Sequence, residues 1–224
     1  MWKRMNRLSK QTLIDKYKKE TIQQIKKLPF NVSEIPEIVC HSWEDIFTIS
    51  DTNKDFVIGK TVFPKPQMMG FFLETLIAKR FEKMDGEIWI SDPTGFAKDI
   101  TNRKDDSLSI EIKTSSSKSH IYGNRSYANP GATSKKSKDS FYLAINFDKF
   151  DKAKLDKEMS IKPKISLIRF GYLKSSDWSG QVAPSGQQAR LTSEIEKGKL
   201  IELWPHMDPL LINLNSRKQT FPVT

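Results

Sequence analysis

Residues 95–117, GFAKDITNRKDDSLSIEIKTSSS, alternate apolar and polar positions with a period of two, the pattern of extended strands. In the second half Leu108, Ile110 and Ile112 fall on one side, and Ser109, Glu111 and Lys113 on the other. In the first half Phe96, Lys98 and Ile100 share a side, opposite Ala97, Asp99 and Thr101. The polar NRKDD between them reads as a turn, so the stretch predicts a β-hairpin. Paired antiparallel, its arms bring Asp99, Glu111 and Lys113 toward one face.

A second pattern precedes the hairpin. QMMGFFLETLIAKRFEKM (67–84) has helical spacing with apolar side chains around most of its circumference, which predicts a largely buried helix. Glu74 interrupts that apolar run. A buried carboxylate must be paired, protonated or bound to a metal, and Lys79 or Arg80 at the helix edge offers the simplest pairing. Further strands are expected at GEIWISDP, at FYLAINFDKF (141–150) as the central strand, and at KISLIRFGYL (164–173), which carries Arg169.

Residues 1–28 read as a helix with a basic outer face, holding nine Lys or Arg against Asp15 and Glu20 and stopped by Pro29. Residues 30–66 read as short pieces broken by Pro36, with Ser42 as an N-cap ahead of Trp43; Cys40 beside His41 is expected in the core. Near the C-terminus, a loop is expected to enter a helix at Ser185 or Gly186, followed by Gln187, Gln188 and Arg190. The apolar C-terminal segment reads as closing core or a dimer contact, with His206 packed. The order of elements predicts an α/β fold with a mixed central sheet flanked by helices, in one domain spanning 1–224. Its parts are an N-terminal helical portion with a phosphate-contacting outer face (1–66), a core (67–150), and a C-terminal portion for recognition or dimerisation (151–224).

Charge narrows the function. Among 224 residues, 37 Lys and Arg against 27 Asp and Glu give a net charge of +10, which favours a polyanionic partner. The single cysteine excludes an internal disulfide framework and a cysteine-based zinc site. No apolar run approaches the length of a membrane span and no secretory h-region opens the chain, so an intracellular, cytoplasmic location is expected.

The chemistry follows from the hairpin. Two carboxylates a few ångströms apart repel unless one takes a proton or a cation sits between them. Mg²⁺ suits such a site, since it prefers oxygen and uses one or two carboxylates plus water and substrate phosphate. A compact ammonium such as Lys113 can orient water or stabilise charge at phosphorus. The competing reading is an ordinary solvated strand face.

Helix with Glu, strand, strand ending in Asp, strand carrying Glu-x-Lys: this order resembles the catalytic core of the PD-(D/E)XK nuclease superfamily, over about residues 67–150. Asp99, in KDI rather than a literal Pro-Asp, matches the first acidic position, and Glu111-Ile112-Lys113 matches the second half-motif. Glu74 matches the helix Glu that many members add. SIEIKTSS followed by IYGNRSYA is similar to type II restriction endonucleases of the ScaI/SwaI-like branch. The resemblance implies Mg²⁺, with Mn²⁺ able to substitute, held by Asp99, Glu111 and Glu74, and catalysis by these residues with Lys113. Asp92 is a second acid ahead of the hairpin and an alternative ligand. The resemblance also implies cleavage of double-stranded DNA at a short palindrome to leave 5′-phosphate ends. A homodimer and a companion DNA methyltransferase are implied with it. A repair nuclease of the same superfamily and a non-catalytic DNA-binding protein are the alternatives.

Residues 113–138 hold six Lys or Arg and no acid, with Tyr122 and Tyr127 interleaved. Directly downstream of Lys113, this segment is expected to meet DNA through Lys118, Asn124, Arg125 and Tyr127, joined by Gln187, Gln188 and Arg190 from the later helix. His120 is the histidine nearest the site, although metal-assisted hydrolysis needs no histidine base.

Overall fold

A six-stranded mixed sheet runs through the middle of the molecule in the order β1 (Trp89–Ser91), β2 (Ile100–Asn102), β3 (Ile110–Ser115), β5 (Ser140–Phe147), β6 (Ile165–Leu173), β9 (Leu200–Trp204). β3 and β5 are parallel; every other neighbouring pair is antiparallel. A second sheet of three short strands, in the order β4 (Tyr122–Asn124), β8 (Gln188–Arg190), β7 (Ser179–Gly180), lies apart from it. This computed structural model describes residues 9–92, 97–128, 138–155, 160–181 and 187–212. Met5 and Leu8 of the expected first helix, Phe96 of the hairpin, Lys135 and Lys136, and the expected helix start at Ser185 or Gly186 fall outside them.

β5 is buried at all eight positions, as the apolar run Phe141–Ile145 requires of a strand covered on both faces. Phe141, Leu143, Ile145 and Phe147 point into the larger core, beneath α2 (Ile35–Ile46) and α3 (Pro66–Met84). Tyr142 and Ala144 point the other way, into a smaller core shared with Ile121, Tyr127, Trp178 and Ala189. In the larger core Trp89 is fully buried, with the rings of Phe30 and Phe81 meeting it edge-on at 5.7 and 5.8 Å. Each such pair contributes about 0.5–1.5 kcal/mol beyond the area it buries, and together they fix α3 against β1.

α1 (Lys10–Ile25) begins at an N-cap in which Ser9 Oγ accepts from the Thr12 N–H at 3.1 Å, and it buries Thr21, Ile22 and Ile25 while Lys10, Lys16 and Lys19 stay exposed. Among the described residues, three short α-helices follow: α4 (Lys152–Leu155), α5 (Ser193–Lys199) and α6 (Pro209–Ile212). Among the described residues, no helix is long and apolar enough to cross a membrane.

Several local expectations are corrected. Pro36 does not break the chain into pieces: it lies in the first turn of α2, where its missing N–H would have no helical partner anyway. Ser42 caps nothing; it is buried inside α2 with Oγ donating to the Ile38 carbonyl at 2.7 Å. Cys40 is half-buried and His206 exposed, so neither belongs to the core. α3 is not apolar-buried all round, because Met68 and Phe71 are 51% and 62% exposed. Gln188 and Arg190 lie on a strand, not a helix: Ala189 packs into the smaller core and β4 supplies a pairing edge, and these outweigh the helical preference of Gln, Ala and Arg.

Candidate active site

The hairpin splits where the chemistry begins. β2 and β3 pair at one register position, Ile100 opposite Ile110. β3 nevertheless continues along β5 as far as Ser115 opposite Asn146. Beyond the split the Ile112 N–H donates to Oδ2 of Asp99 at 2.6 Å, so a side-chain carboxylate stands in for a backbone acceptor. That bond holds Asp99 against the residue between Glu111 and Lys113.

Glu111 is 3% exposed. Its Oε1 accepts from Lys113 Nζ at 2.8 Å and from the Tyr127 hydroxyl at 2.5 Å. Lys113 Nζ also donates to the Ile112 carbonyl at 3.0 Å. Burial pushes the Lys113 ammonium toward losing its proton, but the charges of Glu111 and then Asp99 outweigh this and leave its pKa raised. Lys113 is therefore a fixed cation. The Tyr127 phenol is pushed up, first by burial and then by Glu111, and stays a donor.

Glu74 enters from α3. Its Oε1 accepts from Thr114 Oγ1 at 2.8 Å. Burial raises the Glu74 pKa; the Thr114 hydrogen bond and Lys113 lower it, and the charges of Asp99 and Glu111 raise it further. The helix-edge alternative does not hold, since Lys79 pairs with Glu82 at 2.8 Å and Arg80 with Asp45. Glu74, Asp99 and Glu111 thus each act electrostatically on Lys113, and Asp99, Glu111 and Lys113 on Glu74. Asp92, the alternative acid, neighbours Asp99 across the β1–β2 pair, its N–H facing the Asp99 carbonyl at 3.5 Å, and its Oδ2 accepts from the Ala97 N–H at 2.6 Å.

Among the described residues, no cluster of three or more His, Cys, Asp or Glu side chains stands close enough to hold a metal unaided. Asp99 and Glu111 still fit Mg²⁺ by donor chemistry, because that ion completes its shell with water and substrate oxygens rather than with a full protein cage.

The residues expected at DNA separate into two groups. In the small sheet Asn124 lies opposite Gln188, and Tyr122 opposite Arg190. Both strands alternate exposed, buried, exposed, so these four side chains share the outward face while Gly123 and Ala189 turn inward. Arg125 is half-buried, its N–H donating to the carbonyl of the exposed Gln187 at 2.7 Å, and Lys118 is exposed in the preceding bend. Tyr127 departs from expectation. It is 4% exposed, with its hydroxyl on Glu111 rather than on the surface. His120 pairs with Glu196 at 2.7 Å, and Asn146 and Arg169 hold the backbone of Ser117, Ser119 and His120. The sequence carried no signal for Tyr127 or Thr114 at the site: Tyr127 comes from a polar segment without periodicity, and Thr114 is masked by the serines around it.

A mixed sheet flanked by helices, with an acid at a strand split facing a Glu-x-Lys strand, is the architecture of the restriction-endonuclease-like class. Residues 9–204 match the family model of the ScaI restriction endonuclease. The chain is 37% identical over 185 residues to the type II restriction enzyme ScaI of Streptomyces caespitosus, covering 82% of this chain and 78% of that enzyme. The chain belongs to the ScaI restriction endonuclease family.

Proposed function

We propose that this restriction endonuclease hydrolyses phosphodiester bonds of duplex DNA at a short palindrome with Mg²⁺, leaving 5′-phosphate and 3′-hydroxyl ends. The observation that carries this reading is the pairing of Asp99 with the Ile112 N–H, which sets its carboxylate beside Glu111 and Lys113. Asp99 and Glu111 would hold the cation, with Mn²⁺ an acceptable substitute. When bound it supplies neutralising charge at the scissile phosphate and an acidified water. Lys113, kept protonated by its neighbours, orients the attacking water and offsets charge as phosphorus becomes pentavalent. Glu74 positions a further water or a second cation from the helix side.

The outward residues of the small sheet and the bend before it face the duplex in this reading, with Asn124, Gln187, Gln188 and Arg190 toward bases or phosphates and Lys118 and Arg125 toward phosphates. A ribbon of this kind is a known means of entering a groove. A palindrome is read most simply by two copies related by a two-fold axis, which makes the homodimer the expected assembly. The nuclease domain spans 1–224 in this proposal, and a methyltransferase protecting the same site is its functional companion.

Plasmid digestion with and without Mg²⁺, followed by sequencing of the ends, tests the reading. Discrete Mg²⁺-dependent bands with 5′-phosphates support it. A smear or cleavage confined to junctions points instead to a repair-type nuclease, and retained DNA binding without cleavage to a binding protein.

A further inference from the structure

Tyr127 stands where two parts of the molecule meet. It belongs to the 3-10 turn Arg125–Ala128, which continues directly from β4. Its ring packs against Trp178 and Tyr142 at centroid distances of 5.1 and 6.5 Å. On the β4 side the fit is close enough that a Cβ on Gly123 would lie 2.9 Å from the Tyr127 ring. The ammonium of Lys138 sits 4.2 Å from the ring centroid and that of Lys113 at 5.3 Å. The ring is therefore clamped, and its hydroxyl is delivered to Oε1 of Glu111 at 2.5 Å.

A carboxylate held by one donor still swings about its last torsion, which is soft for Glu. Glu111 has a donor from its own strand, Lys113, and a second from the small sheet's turn, Tyr127, both on the same oxygen. Two donors arriving from separate elements on one oxygen restrict that rotation more than either alone. We infer that Tyr127 is a positioning residue for cleavage, its phenol setting the orientation in which Glu111 meets a divalent cation. The inference rests on Glu111 as a cation ligand, the role given it above. Outer partners of this type typically alter metal affinity or activity 10–100-fold when removed. A phenol that merely satisfied a buried acceptor would affect stability and leave the cation dependence unchanged.

The test uses the full-length enzyme and Tyr127→Phe, which keeps the clamped ring and removes the hydroxyl. The expected result is a kcat lower by about tenfold or more, with several-fold more Mg²⁺ needed for half-maximal rate. Affinity for the cognate duplex in EDTA and KM stay close to those of the parent. An unchanged kcat and Mg²⁺ midpoint overturn the inference, as does loss of duplex affinity in EDTA with a normal midpoint, which would make Tyr127 a DNA contact. A second measurement covers failure of that variant to fold. With 3-fluorotyrosine at position 127, the ¹⁹F resonance of the DNA complex should move on adding Mg²⁺ or Ca²⁺; a resonance that stays in place overturns the inference. Glu111→Ala separates the two levels. If that variant cuts normally the premise fails, whereas an inactive Glu111→Ala beside a normal Tyr127→Phe removes only the role of Tyr127.

Discussion

Thr114 leaves no room for a side chain on Gly70: a Cβ there would lie 2.4 Å from the threonine Oγ1. The same oxygen donates to Glu74, one helical turn further along α3. The missing side chain lets α3 approach β3 closely enough for Glu74 to reach Thr114, on the strand that carries Glu111 and Lys113.

Gly70→Ala is accordingly expected to destabilise the protein by about 1–3 kcal/mol, the range for overpacking a close contact. It should also slow cleavage by displacing Glu74. Thr114→Ala added to it opens the space again, so urea denaturation should show the double variant recovering part of the loss.

Lys113→Met removes the cation beside a buried carboxylate. A loss of about 3 kcal/mol is expected, the low end for breaking a buried pair, because the Lys113 side chain is 19% exposed. Adding Glu111→Gln removes the stranded charge, and the double variant should be more stable than Lys113→Met alone. Both variants should lose at least about 100-fold in cleavage rate, the scale for removing one preorganised electrostatic group, while still shifting cognate DNA in a gel.

The raised pKa of Glu74, due first to burial, has a definite sign in stability. In the folded chain its charged form is disfavoured, so stability falls as pH rises through the folded pKa and is unaffected below the unfolded one. Glu74→Gln should raise the melting temperature of the metal-free enzyme at neutral pH. The gain should disappear as pH drops below the ordinary carboxylate range, and melts across pH in EDTA would reveal it.

On the small sheet, Asn124→Ala and Gln188→Ala should each relax discrimination by about 1–3 kcal/mol at one base position, measured as cleavage of single-mismatch duplexes. Arg125→Ala should weaken binding across all sequences and reduce the slope of log affinity against log salt by about one unit.

Much of the site was legible because strand alternation is a local property. The parity of Asp99, Glu111 and Lys113 needs only a period of two, and Glu74 stood out as a charge in an apolar helix. Gln188 and Arg190 carry a helical preference in sequence, but their strand exists through pairing with β4, a contact made across the whole β5–β6 region. Tyr127 lay outside reach for the same reason. Its burial depends on Trp178 and Tyr142, and nothing in its own neighbourhood reveals those partners. Pro36 and Ser42 show a different limit, since a proline in a first turn and a serine inside a helix look the same in sequence as a break and a cap.

The outward face of the small sheet is assembled from β4 and β8, which lie on either side of β5 and β6 in the chain. Recombination between relatives at a single crossover would join one parent's half of that face to the other's. On the DNA-facing role proposed for this face, a change of target preference calls for coordinated substitution in both stretches.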